Sequence, residues 1–168
     1  MSLPFIDPDY SYQLNACTLL SLVCNLNRTK KGKLALNNDR LHQYLCLIKN
    51  PSILAQVHEL SGKDRAKVDE IASYSIASIA PSLDFLFDVK ALRVLVSSLI
   101  ARRLISVEYS DNKGFFYIPT EDGISVFYEF SSEYITEVND YCKYLLRLQS
   151  KSISQINNYL NKALLEAR

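Results

Sequence analysis

Leu104-Ile105-Ser106-Val107-Glu108-Tyr109, then Asp111-Asn112-Lys113-Gly114, then Phe115-Phe116-Tyr117-Ile118 is the stretch that decides the fold. Two short runs rich in β-branched and aromatic residues flank a polar turn closed by glycine, which predicts a β-hairpin. A helix with apolar residues at Leu92, Leu95 and Leu99 leads into it, expected from about Val89 to Arg103 with Asp88 as its N-cap. A second helical segment opens at Thr120-Glu121-Asp122-Gly123 and is expected to run to about Phe130. Helix, strand, turn, strand, helix is the order in which a winged helix-turn-helix sets out its probe helix and wing. Such a module holds DNA or protein and almost never performs chemistry, so the stretch points to binding or assembly.

Upstream, Met1 to Tyr12 reads as an extended arm, because Pro4 and Pro8 oppose helix. A first helix is expected from about Gln13 to Asn27, with Leu14, Cys17, Leu20 and Cys24 at helical spacing. A basic loop follows, and Asn37-Asn38 caps a helix that turns Leu41, Tyr44, Leu45 and Ile48 inward. Asn50-Pro51 ends that helix and begins another, since asparagine favours the N-cap and proline the first helical position. The third helix carries Ile53, Leu54, Val57 and Leu60 up to Ser61-Gly62, and a longer one is expected from Lys63 to Ile79, closed by Pro81.

Downstream, Ser131-Ser132 caps a tail in which Tyr134, Val138, Tyr141, Leu145 and Leu148 alternate steps of four and three. That spacing draws one narrow apolar stripe, the seam of a coiled-coil-like contact. Ser152 and Gln155 form a capping box for a last helix striped by Ile153, Ile156, Leu160 and Leu164. The expected fold is therefore mainly α: a winged helix-turn-helix with N-terminal helices and a C-terminal helical tail. Its expected division is a helical/winged-helix domain at 1–130 and a helical extension at 131–168.

Composition bounds what such a chain does. At 168 residues, 48% hydrophobic and 22% charged, it can bury one sizeable core. A net charge of +1 argues against a dedicated polyanion binder. Cys17, Cys24, Cys46 and Cys142 sit in apolar helical patterns without Cys-x-x-Cys spacing, and read as buried thiols of a reducing compartment. His42 and His58 have no second ligand at i+3 or i+4, so neither metal nor cofactor is expected. No nucleophile elbow, phosphate-cradling glycine loop or paired-carboxylate motif appears, and no catalytic residue is assigned. Without a basic leader or an apolar run near ~20 residues, the chain is expected to be cytoplasmic and free of the membrane.

Three groups of residues stand as candidate contacts. The probe helix and wing could read DNA, yet from Leu83 to Phe130 five basic residues face seven acidic ones, a net charge of −2. DNA affinity draws on cationic contacts that release counterions, so protein contact through Phe115 and Tyr117 is favoured over base readout. The loop residues Arg28, Lys30, Lys31 and Lys33, with Arg40 in the next helix, form the densest cationic run and are the candidate DNA contacts. The tail stripe Tyr134, Val138, Tyr141, Leu145 and Leu148 is the candidate protein interface. Eleven tyrosines without a tryptophan fit interfaces, where one ring edge is buried and the hydroxyl stays wet.

Arg28-x-x-Lys31-Gly32, followed by Asp39-Arg40-Leu41-x-x-Tyr44-Leu45-x-x-x-Lys49-Asn50-Pro51, resembles the middle components of bacterial ABC three-component systems, the Lamassu antiphage systems among them. The resemblance spans about Gln13 to Phe130 and rests on short structural motifs. It implies a non-catalytic accessory subunit, bridging an SMC/Rad50-like ATPase and an effector nuclease in antiphage or antiplasmid immunity, with at most weak, non-specific DNA contact. The competing expectation is a winged-helix transcriptional regulator that reads operators as a homodimer through its terminal helix.

Overall fold

A computed structural model describes residues 11–64 and 88–166. Residues 1–10 of the expected arm, and the helix expected over Lys63 to Ile79 with its terminator Pro81, lie outside the described residues apart from Lys63 and Asp64. Within them the chain is mainly helical, with seven helices and one two-stranded antiparallel sheet. In chain order these are α1 (Tyr12–Leu26), α2 (Asn38–Lys49), α3 (Pro51–Leu60), α4 (Val89–Ala101), β1 (Ile105–Ser110), β2 (Gly114–Pro119), α5 (Glu121–Tyr128), α6 (Glu133–Leu148) and α7 (Ile153–Glu166).

Local chemistry explains most boundaries. Asn37 Oδ1 accepts from Arg40 N at 3.0 Å, Asp88 Oδ1 from Ala91 N at 2.9 Å and Ser132 Oγ from Ile135 N at 3.2 Å, each satisfying a donor the helix leaves open. Ser152 and Gln155 bond each other's backbone N–H groups at 2.9 and 3.1 Å, the reciprocal box expected from their spacing. At the α2–α3 junction Pro51 takes the first helical position, but Asn50 does not cap α3. Its amide instead donates back to Cys46 O at 2.9 Å and is fully buried. α4 stops at Ala101, two residues short of expectation. Arg103 turns left-handed at φ 59°, and Leu104 N reaches back to Leu99 O at 2.9 Å, a Schellman closure.

α1 is the axis of the fold. Its segment Tyr12–Leu26 carries no charged residue, and Leu19, Leu20, Leu22, Val23 and Leu26 are all but sealed from solvent. Two buried hydroxyls return to their own helix, Thr18 Oγ1 to Leu14 O at 2.8 Å and Ser21 Oγ to Cys17 O at 2.9 Å, so both donors are satisfied within α1. α6 packs along α1, while α4, α5, β2 and α2 contact α1 from other sides.

This packing corrects the expectation for the tail. Val138, Tyr141, Leu145 and Leu148 are buried in the same core cluster as Leu19, Leu22 and Leu99, so the stripe faces this chain's own α1 rather than a partner. Three polar ties run alongside it: Thr18 Oγ1 lies 3.2 Å from the Tyr134 hydroxyl, Asn25 Nδ2 donates to Asn139 Oδ1 at 2.9 Å, and Gln149 Nε2 to Leu26 O at 3.0 Å. The boundary expected at residue 130 leaves no mark on the packing. Ile156, Leu160 and Ala163 of α7 join that cluster too, with α7 against α3 and α2.

Burial pushes the Cys46 and Cys142 thiols up to about 12 from an ordinary 9.0, and the Tyr44 hydroxyl up to about 12 from 10.0. A raised folded-state value favours the fold below the unfolded value and loses that contribution as pH climbs toward the folded one. Stability is therefore expected to be flat up to pH 9 and to fall between pH 9 and 12. Each buried thiol should cost about 1.4 kcal/mol by pH 10. Urea midpoints measured across that range check it, and a midpoint unchanged to pH 11 would contradict the burial of these groups.

Candidate interaction surface

The hairpin register fixes which side chains share a face. Val107 pairs with Tyr117 and Tyr109 with Phe115, while Glu108 pairs with Phe116 on the opposite side. Phe116 turns inward and is buried. On the outward face Val107, Tyr109 and Phe115 are 44%, 61% and 65% exposed, although each would favour burial, and the Tyr109 and Phe115 rings lie 5.2 Å apart. Tyr117 is only half-exposed: its hydroxyl donates to Asn38 Oδ1 at 2.9 Å and its N–H to Leu36 O at 2.8 Å. Of the two wing aromatics expected at a partner contact, Phe115 stands free and Tyr117 secures the hairpin to the body. Tyr109 belongs to the tyrosines expected at an interface, whereas Val107 is not singled out by the sequence, because spacing alone cannot tell which face of a two-stranded ribbon the body covers.

The bond from Tyr117 to Leu36 brings the basic loop beside the hairpin. Arg28 bridges to Leu34, Thr29 N donates to Lys33 O at 2.8 Å, and Gly32 N to Thr29 O at 2.8 Å. Gly32 sits at φ 76°, a conformation that side chains disfavour, so the turn depends on glycine there. Arg28 spans the two pieces, with Nη1 donating to Gly32 O and Nη2 to Glu108 Oε2, each at 3.1 Å. The loop is thus held in place against β1.

These contacts divide the five candidate DNA residues. Lys30, Lys31 and Lys33 are exposed and make no ion pair among the described residues. Arg28 spends its charge on Glu108. Arg40 is half-buried, donates through Nη2 to Lys151 O at 2.8 Å and stacks over the Tyr44 ring at 5.6 Å, so it fastens the α6–α7 link instead of facing a phosphate. The net charge of −2 between Leu83 and Phe130 misjudges this surface, because the loop brings three lysines from outside that window. Within the loop and hairpin, these lysines and Lys113 outnumber Asp111 once Arg28 and Glu108 cancel, with Asp39 exposed at the adjoining start of α2.

Among the described residues no group of three or more histidine, cysteine or acidic side chains could hold a metal, and no helix is long and apolar enough to cross a membrane. His58 is buried edge-on to Tyr144 at 5.4 Å, with Nδ1 bonded to Asp64 O, a packing role. The surface offers a tilted aromatic pair, an exposed valine beside it and the exposed lysines of the loop. A family model described as ABC-three component (ABC-3C) system Middle Component 4 matches residues 26–158, a span holding the basic loop, the hairpin and α6. No curated protein and no solved structure matches the chain.

Proposed function

The chain belongs to the ABC-three component system Middle Component 4 family, and from that premise we propose that it is a non-catalytic bridging subunit of a Lamassu-type defence complex. It holds an SMC/Rad50-like ATPase on one side and an effector nuclease on the other. α4, the hairpin and α5 act as a winged helix turned to protein contact, with the hairpin's outward face as the partner surface. The observation that carries this reading is the solvent-facing Val107–Tyr109–Phe115 ridge, seated on a wing that is tied down by Arg28 and Tyr117. Rings held rigidly yet left in water lose little entropy on binding and remove apolar area when covered. The free lysines of the adjacent turn suit weak, sequence-independent contact with DNA phosphates.

Reconstitution with the subunits encoded beside it tests this. Tyr109→Ala with Phe115→Ala is expected to weaken assembly at least tenfold, about 1.4 kcal/mol. Both side chains are exposed, so the isolated chain should lose no more than about 0.5 kcal/mol of stability. Changing Lys30, Lys31 and Lys33 to glutamate is expected to leave assembly intact and to abolish the salt-dependent part of any DNA binding. An isolated dimer that holds one duplex sequence tightly at physiological salt would favour the operator-reading alternative instead.

A further inference from the structure

Charge is sorted between two helices that both rest on α1. From Val89 to Leu104 the charged residues are Lys90, Arg93, Arg102 and Arg103, all exposed and with no acid among them. From Thr120 to Cys142 every charged residue is acidic, and Glu121, Asp122 and Glu129 stand exposed on α5 and its C-cap. Asp88, just ahead of α4, is occupied as its N-cap. The four cations and these three acids make no ion pair among the described residues, and α1 brings no charge between them.

Two of these charges are opposed by the helix that carries them. Lys90 stands in the first turn of α4, where the backbone leaves partial positive charge. Glu129 stands at the C-cap of α5, where it leaves partial negative charge. Each is better placed against the opposite end of another helix. The same outward faces keep apolar groups in water: Val94 and Tyr128 are 60% and 79% exposed, and Ile100 and Ile124 are exposed too.

We propose that the chain pairs with a second copy of itself through α4 and α5, each helix lying antiparallel on the other helix of its partner about a two-fold axis. A foreign partner would have to match cations and acids in this particular arrangement, whereas a second copy carries the complement already. Lys90 and Arg93 then face the partner's Glu129, while Arg102 and Arg103 face the partner's Glu121 and Asp122. Val94, Ile100, Ile124 and Tyr128 lose water in the same contact. The pairing goes beyond the bridging role and does not rest on it, since it belongs to the isolated chain and uses none of the hairpin ridge.

Sedimentation equilibrium of the isolated chain tests it, at about 100 μM and low ionic strength, where exposed charges are screened least. A monomer–dimer equilibrium is expected, and raising sodium chloride from about 50 to about 500 mM should weaken it at least fivefold. Lys90→Glu with Arg93→Glu, and separately Glu129→Lys, should each raise the dissociation constant at least tenfold, with the circular dichroism spectrum unchanged. Mixed in equal amounts, the two variants should form a heterodimer near the parent's affinity, because each reversal then meets its complement. A parent that stays monomeric, a dimer indifferent to salt or to both reversals, or variants that dissociate without rescue in the mixture overturns the pairing. Growth into assemblies larger than a dimer overturns the two-fold arrangement. Should a variant not fold, the salt titration of the parent decides alone.

Discussion

Gly123→Ala is expected to destabilise the chain by about 3 kcal/mol or more, lowering the melting temperature by roughly 6 to 12 °C in a protein of this size. Helix propensity alone predicts the opposite sign, since alanine is favoured over glycine by about 1 kcal/mol inside a helix. The surroundings decide it. A Cβ at Gly123 would lie 2.9 Å from the carbonyl carbon of Leu104, and closer still to its oxygen. This is backbone, so no rotamer change relieves the clash. Moving α5 away would break the bond from Thr120 N to Leu104 O at 3.1 Å and that from Thr120 Oγ1 to Arg103 O at 2.6 Å. Ser125→Ala, on the exposed side of α5, is the matched control and should stay within about 0.5 kcal/mol. Urea unfolding of both variants checks the pair. A neutral or stabilising Gly123→Ala would mean that α5 does not rest on the Leu104 backbone.

Gly123 also marks where sequence reading reaches its limit. Thr120 through Gly123 announces a helix start, and Thr120 Oγ1 does accept from Gly123 N at 3.0 Å. Nothing local reveals that the glycine is needed by a carbonyl on another segment. The same division holds elsewhere. Asp88, Ser132 and the Ser152–Gln155 box were legible because capping acts within three or four residues. The hairpin was legible from its β-branched and aromatic runs and its turn, in which Asn112 and Gly114 both take positive φ. The Arg28–Glu108 pair joins residues 80 apart in the chain, and no periodicity signals it. Arg40 looked like a member of a cationic run, yet its place is fixed by Lys151, 111 residues away. Short-range order was readable, then, and the composition of each surface was not.

The tail stripe is the sharpest case, and it yields the second large effect. Leu145→Ala is expected to cost the isolated chain about 3 kcal/mol, within the range for emptying a leucine site in a core. Spacing alone showed Tyr134, Val138, Tyr141, Leu145 and Leu148 on one side of a helix, a pattern that a partner helix or an internal one covers equally well. Burial separates the two, since Leu145 and Leu148 are fully hidden inside the lone chain and Val138 is 1% exposed. Were the seam reserved for a partner, the isolated variant would unfold like the parent and only assembly would suffer. Stability near 5–15 kcal/mol leaves such a loss plainly visible in a urea titration. A fragment ending at Phe130 carries the argument further. It would strip α6 from Leu19, Leu22, Val23 and Leu26 and α7 from α2 and α3, and is expected to show no cooperative unfolding transition. A fragment that unfolds cooperatively would restore 131–168 as an extension, and would free the stripe on α6 for a partner after all.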